Sequence, residues 1–226
     1  MEVGVHPKDV DELFHVLDIV NIIHVVYWTR FFEMVKDVSG TIVECGVGRG
    51  RSLLIHTALN RIIAGNTGCY RQTYAFDSFE GFPEPHPEDD SFRKPRKGEW
   101  SHSPSGKYQY NIDFISNVLV NAGIRNFDEH VTLTKGFFSE TITNYEGGPI
   151  AILHLDGDLY ESYRDPLNIL YDQVAPGGVI VFDDFTTEKN GEDRFPGGRK
   201  AAEDFFADKP EGFQNSIRGT PYIIKM

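Results

Sequence analysis

Short apolar runs recur along the chain, separated by segments in which apolar residues fall three or four positions apart. Thr41-Ile42-Val43, Tyr74-Ala75-Phe76, Val131-Thr132-Leu133, Ile150-Ala151-Ile152-Leu153 and Val179-Ile180-Val181-Phe182 are too short for helices and are bounded by turn residues. That is the pattern of strands buried on both faces of a parallel sheet. Between them, Ser52 to Ala64, Asn111 to Ala122 and Ser162 to Gln173 read as helices. Gly65-Asn66-Thr67-Gly68 closes the first, and Gly123 stops the second, where Ile112, Ile115, Leu119 and Ala122 keep helical spacing. A short helical turn follows Gly136 through Ser139-Glu140-Thr141, and Arg199 to Phe206 is a last helix. Two short strands, about Gln214–Ile217 and Tyr222–Lys225, flank Gly219-Thr220 as a hairpin. Strands alternating with helices and closed by a hairpin predict an open, mostly parallel α/β sheet with helices on both faces. No repeat or linker divides residues 1–226, so one domain is expected.

Three stretches stand outside this alternation. Lys8 to Val38 reads as one or two helices ended by Ser39-Gly40, making residues 1–40 an N-terminal helical cap. Leu13 to Val35 is very apolar, yet Asp18, Asn21, His24, Arg30 and Glu33 interrupt it. It falls short of the roughly 20 consecutive apolar residues a membrane span needs. Asp18, Asn21 and His24 recur every third residue, which predicts one polar stripe on a helix whose apolar remainder packs on most sides. Phe79 to Tyr110 has no period and carries Pro83, Pro85, Pro87, Pro95 and Pro104, and Phe185 to Gly198 is a second polar loop. An aperiodic stretch this long is usually functional or disordered, so 79–110 is the candidate substrate loop. His86, Trp100, His102, Tyr108 and Tyr110 could line an acceptor site there, each no more readily than serve as a plain surface residue; Lys94, Arg96 and Lys97 read as a solvated face.

Composition narrows the partners. Lys plus Arg number 22 against 34 Asp plus Glu, a net charge of -12. An acidic chain lacks the basic face that nucleic acid requires, and an anionic membrane surface is disfavoured for the same reason. The two cysteines, Cys45 and Cys69, make no disulfide framework and suit a reducing cytoplasm. The N-terminus shows no basic start or small-residue cleavage site of a secretory signal.

Two groups of residues carry chemistry. The first is the glycine turn after the first strand, Glu44-Cys45-Gly46-Val47-Gly48-Arg49-Gly50-Arg51-Ser52, opening a helix whose amino end favours an anionic group. Its glycine spacing departs from the dinucleotide fingerprint G-x-G-x-x-G, since position 51 is Arg. Glu44 stands where a carboxylate can hold a ligand's ammonium, and Asp77, ending the second strand, can accept ribose hydroxyls. An amino acid joined to a nucleoside has that shape, as S-adenosylmethionine does. The second group is Asp156 and Asp158 after one strand and Asp183 and Asp184 after the next. Asp156 and Asp158, two apart, project to the same side if the chain stays extended. Hard oxygen donors suit Mg²⁺ or Ca²⁺ rather than zinc. A metal held by three of these carboxylates could lower the pKa of a substrate hydroxyl while the fourth removes its proton.

Taken together, Thr41 to Gly50, Phe76-Asp77-Ser78-Phe79-Glu80-Gly81-Phe82-Pro83, Gly136 to Thr141, Leu155 to Ser162, Pro176-Gly177-Gly178 with Asp183-Asp184, and Arg199 to Phe205 resemble the macrocin O-methyltransferase (TylF/MycF/NovP-like) family. The resemblance runs from about Thr41 to Phe206; the segment before Gly40 and the stretch from Pro83 to Tyr110 do not share it. It implies a Rossmann-like class I methyltransferase fold with a seven-stranded sheet and a C-terminal β-hairpin. It also implies S-adenosylmethionine as donor and Mg²⁺-dependent transfer to a small-molecule hydroxyl, often on a sugar of a natural product. By position, Asp156, Asp183 and Asp184 would hold the metal, with Asp158 as base beside Asp156. The cofactor would lie on Glu44, Cys45, Gly46, Val47, Gly48, Gly50 and Ser52, with its ribose at Asp77, Ser78 and Phe79. Two rivals remain at this stage: a metal-dependent glycosyltransferase using Asp156-Gly157-Asp158 as a D-x-D motif, and a non-catalytic cofactor-binding protein. The apolar N-terminal helix also allows a homodimer or higher homo-oligomer.

Overall fold

The computed structural model describes residues 18–68, 70–185 and 191–226. The expected helical residues 8–17, Cys69 and positions 186–190 lie outside the described residues. The helices are α1 (Ile19–Met34), α2 (Arg51–Thr67), α3 (Ile112–Asn121), the single turn α4 (Phe138–Thr141), α5 (Tyr160–Leu170) and α6 (Pro196–Phe206). The strands are β1 (Thr41–Cys45), β2 (Thr73–Asp77), β3 (Val131–Lys135), β4 (Ile150–Leu155), β5 (Val174–Phe182), β6 (Gln214–Asn215) and β7 (Pro221–Ile224). They form one sheet in the order β3-β2-β1-β4-β5-β7-β6. Strands β1 to β5 run parallel, β7 is antiparallel to β5, and β6 pairs with β7 as the expected hairpin.

Strand parity divides the core. On one face Val43, Cys45, Leu153, Leu155, Ile180 and Phe182 pack against Tyr163 and Leu167 of α5 and Ala202 and Phe206 of α6. On the other, Ile42, Ile152, Val179 and Val181 pack against Tyr27, Trp28 and Phe31 of α1. The continuous apolar runs are thus explained, because helices cover both faces of the central strands. The sheet order reverses between β1 and β4, and such a reversal opens a crevice beyond the carboxyl ends of the strands.

Three elements depart from expectation. Strand β5 runs through Pro176-Gly177-Gly178 instead of starting after it, because Gly177 donates to the Lys225 carbonyl (2.8 Å) and Lys225 donates back to the Gly178 carbonyl (2.9 Å). Helix α6 starts three residues before Arg199, with Pro196 in its first turn, where a missing N–H costs nothing. Its Gly197 and Gly198 lie so close to Asp89 and Tyr163 that side chains there would collide. Helix α1 reverses the expected packing in its first half. Asn21 and His24 of the polar stripe are buried, while Ile19, Val20, Ile22, Ile23, Val25 and Val26 are exposed. Only from Tyr27 onward does α1 bury its aromatic face. Among the described residues no helix is long and apolar enough to cross a membrane.

The aperiodic stretch 79–110 is folded without long regular elements. The Phe82 amide donates to the Glu99 carbonyl (2.9 Å) and the Gly98 amide to the Phe82 carbonyl (3.0 Å). Further on, the Ser103 amide meets the Tyr108 carbonyl and the Tyr110 amide the Ser101 carbonyl. Buried Asp89 anchors the stretch: one carboxylate oxygen accepts from the His86 amide (2.8 Å), the other from the Tyr160 amide (2.7 Å) in the first turn of α5. Asp89→Ala leaves both donors without a partner and is expected to cost about 1–3 kcal/mol in urea unfolding. A loss below about 0.5 kcal/mol, the range of an ordinary surface change, would show that the anchor contributes nothing.

Candidate active site

The first half of the site is the turn between β1 and α2. Gly46, at φ 99°, lies so close to β4 that an added Cβ would collide with the Asp156 carbonyl. The Gly46 amide donates to Phe76 O (2.9 Å) and the Asp156 amide to Cys45 O (2.9 Å), so three strand ends are tied together here. Asp77 clamps the turn from the end of β2. Its Oδ2 accepts the Val47 and Gly48 amides at 2.8 and 2.9 Å, and its Oδ1 accepts the Phe79 amide at 2.6 Å. Burial pushes the Asp77 carboxyl up, against the opposing pull of those three amides. Gly50, at φ 83°, precedes α2 and backs onto Ile115 rather than the cavity.

The second half is acidic. Asp156 and Asp158 follow β4, and Asp183 and Asp184 follow β5. Asp184 Oδ2 accepts from the Asp158 amide (2.8 Å) and the Tyr163 hydroxyl (2.8 Å), while Asp183 Oδ1 accepts from Arg218 Nη1 (2.7 Å). Burial, reinforced by neighbouring carboxylates, holds Asp156 and Asp158 well above the usual carboxyl range. Burial and the charge of Asp183 push Asp184 up to about 6. The expected same-side projection of Asp156 and Asp158 comes about differently. Strand β4 ends at Leu155, and Asp158 takes a left-handed φ of 61°, yet both aspartates line the cavity. Asp tolerates that region better than most residues.

Both halves face one cavity of about 500 Å³, a size suited to a small-molecule ligand. Gly46, Val47, Gly48, Ser52, Asp77 and Ser78 of the expected cofactor set line it, as do all four aspartates. Glu44, Cys45 and Phe79 do not. Parity explains the first two: Cys45 points into the α5–α6 face and Glu44 into the α1 face, where it is fully buried. There its carboxylate lies 3.0 Å from His56 Nδ1 and 3.8 Å from His154 Nδ1, and Trp28 packs edge-on against both imidazoles. Phe79 turns into the core beside Ala75 and Ile115. Of the loop aromatics, Trp100 and Tyr110 line the cavity. His86 stacks on Tyr160, Tyr108 packs on Phe114, and His102 pairs with Gln109.

Sequence reasoning missed further lining residues. Phe137, Phe138 and Ser139 come from the turn after β3, Arg194 and Phe195 from the loop before α6, and His24 and Arg218 from the two ends of the described chain. The Gly136-Phe137-Phe138-Ser139 motif was a usable signal; nothing in the pattern pointed to His24 or Arg218. Burial first, and then the charge of Arg218, lowers the His24 pKa to about 4, so its imidazole is neutral at pH 7.

Among the described residues, two groups of side chains offer donor atoms within 4.8 Å of one another: Asp156, Asp183 and Asp184, and the enclosed Glu44, His56 and His154. Only the aspartates reach the cavity. Their all-oxygen donor set, with one oxygen each of Asp183 and Asp184 already oriented by a protein donor, fits a hard divalent cation.

A profile described as Macrocin-O-methyltransferase (TylF) matches residues 32–207. The chain belongs to the macrocin O-methyltransferase family. Among curated relatives, the 8-demethyl-8-(2,3-dimethoxy-alpha-L-rhamnosyl)-tetracenomycin-C 4'-O-methyltransferase of Streptomyces olivaceus is 31% identical over 155 residues, covering 69% of this chain and 56% of that protein. Demethyldecarbamoylnovobiocin O-methyltransferase of Streptomyces niveus is 31% identical over 153 residues, covering 66% and 54%. The aligned stretch thus spans about half the length of these relatives. Among solved structures, the calicheamicin methyltransferase CalS11 superposes with a TM-score of 0.75 at 22% identity, over 92% of this chain and 80% of that one. The O-methyltransferase NovP gives 0.71 at 24%, over 89% and 79%. The fold is that of class I methyltransferases, and the macrocin O-methyltransferase match contains the glycine turn, Asp77 and all four aspartates.

The turn geometry separates two glycines. Gly46→Ala forces the β1 turn off Asp156 and is expected to abolish binding of S-adenosylhomocysteine and lower the melting temperature. Gly48→Ala meets no atom within 4 Å and is expected to keep the fold while weakening that binding. Calorimetry with thermal unfolding checks both, and equal effects of the two variants would contradict the assignment.

Proposed function

We propose that the protein is an S-adenosylmethionine- and Mg²⁺-dependent O-methyltransferase acting on a hydroxyl of a small molecule, in particular a sugar moiety of a natural product. The observation that carries this reading is one cavity in which a glycine turn faces four aspartates across the ends of β1 and β4. One relative acts, by its name, on a rhamnosyl-tetracenomycin, which supports a sugar acceptor here. The family match favours this reading over a glycosyltransferase built on Asp156-Gly157-Asp158.

In this reading the glycine turn, which lets a ligand approach the backbone closely, and the α2 amino end receive the methionine portion of the donor, whose sulfonium supplies an electrophilic methyl group. Asp77 keeps lone pairs for ribose hydroxyls beyond those it spends on Val47, Gly48 and Phe79. Asp156, Asp183 and Asp184 would hold the cation, which supplies the Lewis acidity that eases deprotonation of a hydroxyl. Asp158 accepts that hydroxyl's proton, and its raised pKa brings it nearer the operating pH of a general base. Phe137, Phe138, Trp100 and Phe195 wall the cavity and limit water. The 79–110 stretch supplies Phe82, Pro83, Trp100 and Tyr110 to that wall and is the acceptor-side loop in this proposal.

The exposed aliphatic face of α1 is the surface through which the chain would form a homo-oligomer. Cys45, a free buried thiol, is in keeping with a reducing cytoplasm.

Methyl transfer from S-adenosylmethionine to a panel of deoxysugar glycosides, with Mg²⁺ or with EDTA, tests the activity. Uridine diphosphate sugar binding without S-adenosylmethionine binding would overturn it. Asp158→Asn should lower turnover by about 10²–10⁴ and leave donor affinity within twofold or so; equal loss of both would assign Asp158 a structural role. The pH dependence follows from the raised carboxyls. A folded-state pKa above the unfolded value favours the metal-free fold at low pH, and that contribution fades as pH rises from about 4 through about 6 for Asp184. A cation must displace those protons, so its affinity and its thermal stabilisation should both grow between pH 5.5 and pH 8. Calorimetry in buffers of different ionisation enthalpy reads the protons released, and a heat independent of buffer would contradict the displacement of protons by the cation.

A further inference from the structure

Four carboxylates meet in the cavity, and Arg218 is ion-paired with one of them. Arg218 sits in the β6–β7 turn, beyond the stretch matched by the family, and its Nη1 donates to Asp183 Oδ1 at 2.7 Å. The guanidinium is held on its other side as well. It lies 4.8 Å from the centre of the Tyr27 ring, a geometry that attracts a cation to the ring face. Tyr27 is fastened in turn, its hydroxyl 3.1 Å from Thr220 Oγ1. The Arg218 amide donates to Ser216 Oγ (3.2 Å), and the Gly219 amide closes the turn onto the Ser216 carbonyl (3.0 Å). Helix α1 and the terminal hairpin together therefore deliver a fixed positive charge to the acidic cluster.

We infer that Arg218 is the resident counter-cation of the acidic cluster and competes with the divalent metal for Asp183, thereby setting the metal affinity. The inference rests on the proposed metal site. Two effects of losing Arg218 oppose each other. Without its hydrogen bond, Asp183 is less well oriented, and an orienting partner is typically worth about 10–100-fold in metal affinity. Without its charge, a guanidinium no longer repels a doubly charged ion one carboxylate away. That repulsion is the larger effect at this separation, even with the strong effective screening found in proteins. Asp183 also keeps a second source of orientation, because its amide donates to the Leu155 carbonyl (3.0 Å) and fixes the backbone at the end of β5. The charge effect wins, and metal binding tightens when Arg218 is neutralised.

The same argument fixes what the charge does without metal. Guanidinium pairing offsets part of the repulsion among Asp156, Asp183 and Asp184, so the empty site can fold before a cation arrives. The protein without Arg218 should depend on metal for stability where the native chain does not.

The test is Mn²⁺ titration, by calorimetry and by electron paramagnetic resonance, of the native chain, Arg218→Gln, Arg218→Lys and Asp184→Asn at pH 7.5. Arg218→Met, whose stem keeps packing on Tyr27, is carried beside Arg218→Gln in case the latter folds poorly. The expected result is a Kd about tenfold lower in the Gln or Met variant and a native-like Kd in the Lys variant, which retains the charge. Melting temperatures should fall in metal-free Arg218→Gln and recover with saturating Mn²⁺. Unchanged or weaker Mn²⁺ binding in both neutral variants, with tight binding by the native chain, overturns the inference. Failure of the native chain to bind Mn²⁺, or an Asp184→Asn variant that binds it normally, would instead refute the metal site itself.

Discussion

The structure depends on the close approach of two parallel strands at their carboxyl ends. Gly46 can lie against the Asp156 carbonyl because it has no Cβ, and the Asp156 amide reaches Cys45 O across the same gap. From that point the chain leaves β1 toward α2 and leaves β4 toward α5, so a crevice opens between the two departures. The glycine turn occupies one lip and the aspartates the other. Neither lip can shift alone, because Asp77 pins the turn and the Asp158 amide pins Asp184. The distance between the two halves of the cavity is therefore set by the backbone approach of β1 and β4, with the Asp77 and Asp184 carboxylates holding each lip.

This arrangement concentrates negative charge where water is scarce, and unrelieved packing of like charges would destabilise the fold. Relief comes in three forms. Burial raises the carboxyl pKa values of Asp156 and Asp184 and so favours their neutral forms, the Tyr163 hydroxyl and the Asp158 amide donate to Asp184, and Arg218 pairs with Asp183. Each form is one that a divalent cation can displace or supplement. The charge of Glu44 is handled separately on the opposite face of the sheet, where burial raises its pKa and His56 opposes that rise. Two acidic systems thus lie back to back across the strand ends, only one of them open to a ligand.

Much of this was legible because strands buried on both faces leave an unmistakable apolar signature. Strands β1 to β4 occur where the apolar pattern puts them, β5 contains its apolar run but starts before it, the hairpin forms around Gly219-Thr220, and the four aspartates converge as their positions after β4 and β5 require. Side-chain direction was less legible. Glu44 and Cys45 extend β1, and alternation sends one to each face, so a motif read as a contiguous string overcounts the cavity-facing residues. Helix α1 was misread because periodicity shows a stripe but not which side of it faces the protein; here the polar stripe turns inward, with His24 on the cavity. Arg218 could not be found at all from sequence, since its role arises from a turn that meets Asp183 only after the sheet closes, 35 residues away along the chain.

Asp156 and Asp158 look interchangeable as letters and are not interchangeable in the fold. Asp156 continues directly from β4 and is held by a strand-like amide bond to Cys45 O, a placement that favours a rigid ligand. Asp158 follows Gly157, where a side chain would strike Ser162 and Phe138, and it adopts a left-handed conformation. That conformation favours Asp or Asn over alanine, whose Cβ would bear the strain without a local hydrogen bond in return. Alanine at this position would mix backbone strain with the loss of a carboxyl group. Asparagine keeps the side-chain shape and the backbone amide bond to Asp184 while removing the carboxyl charge and with it the ability to take a proton. The proposed division of labour between the two residues is thus a question of backbone geometry first, and the isosteric substitution separates the carboxyl chemistry from backbone strain.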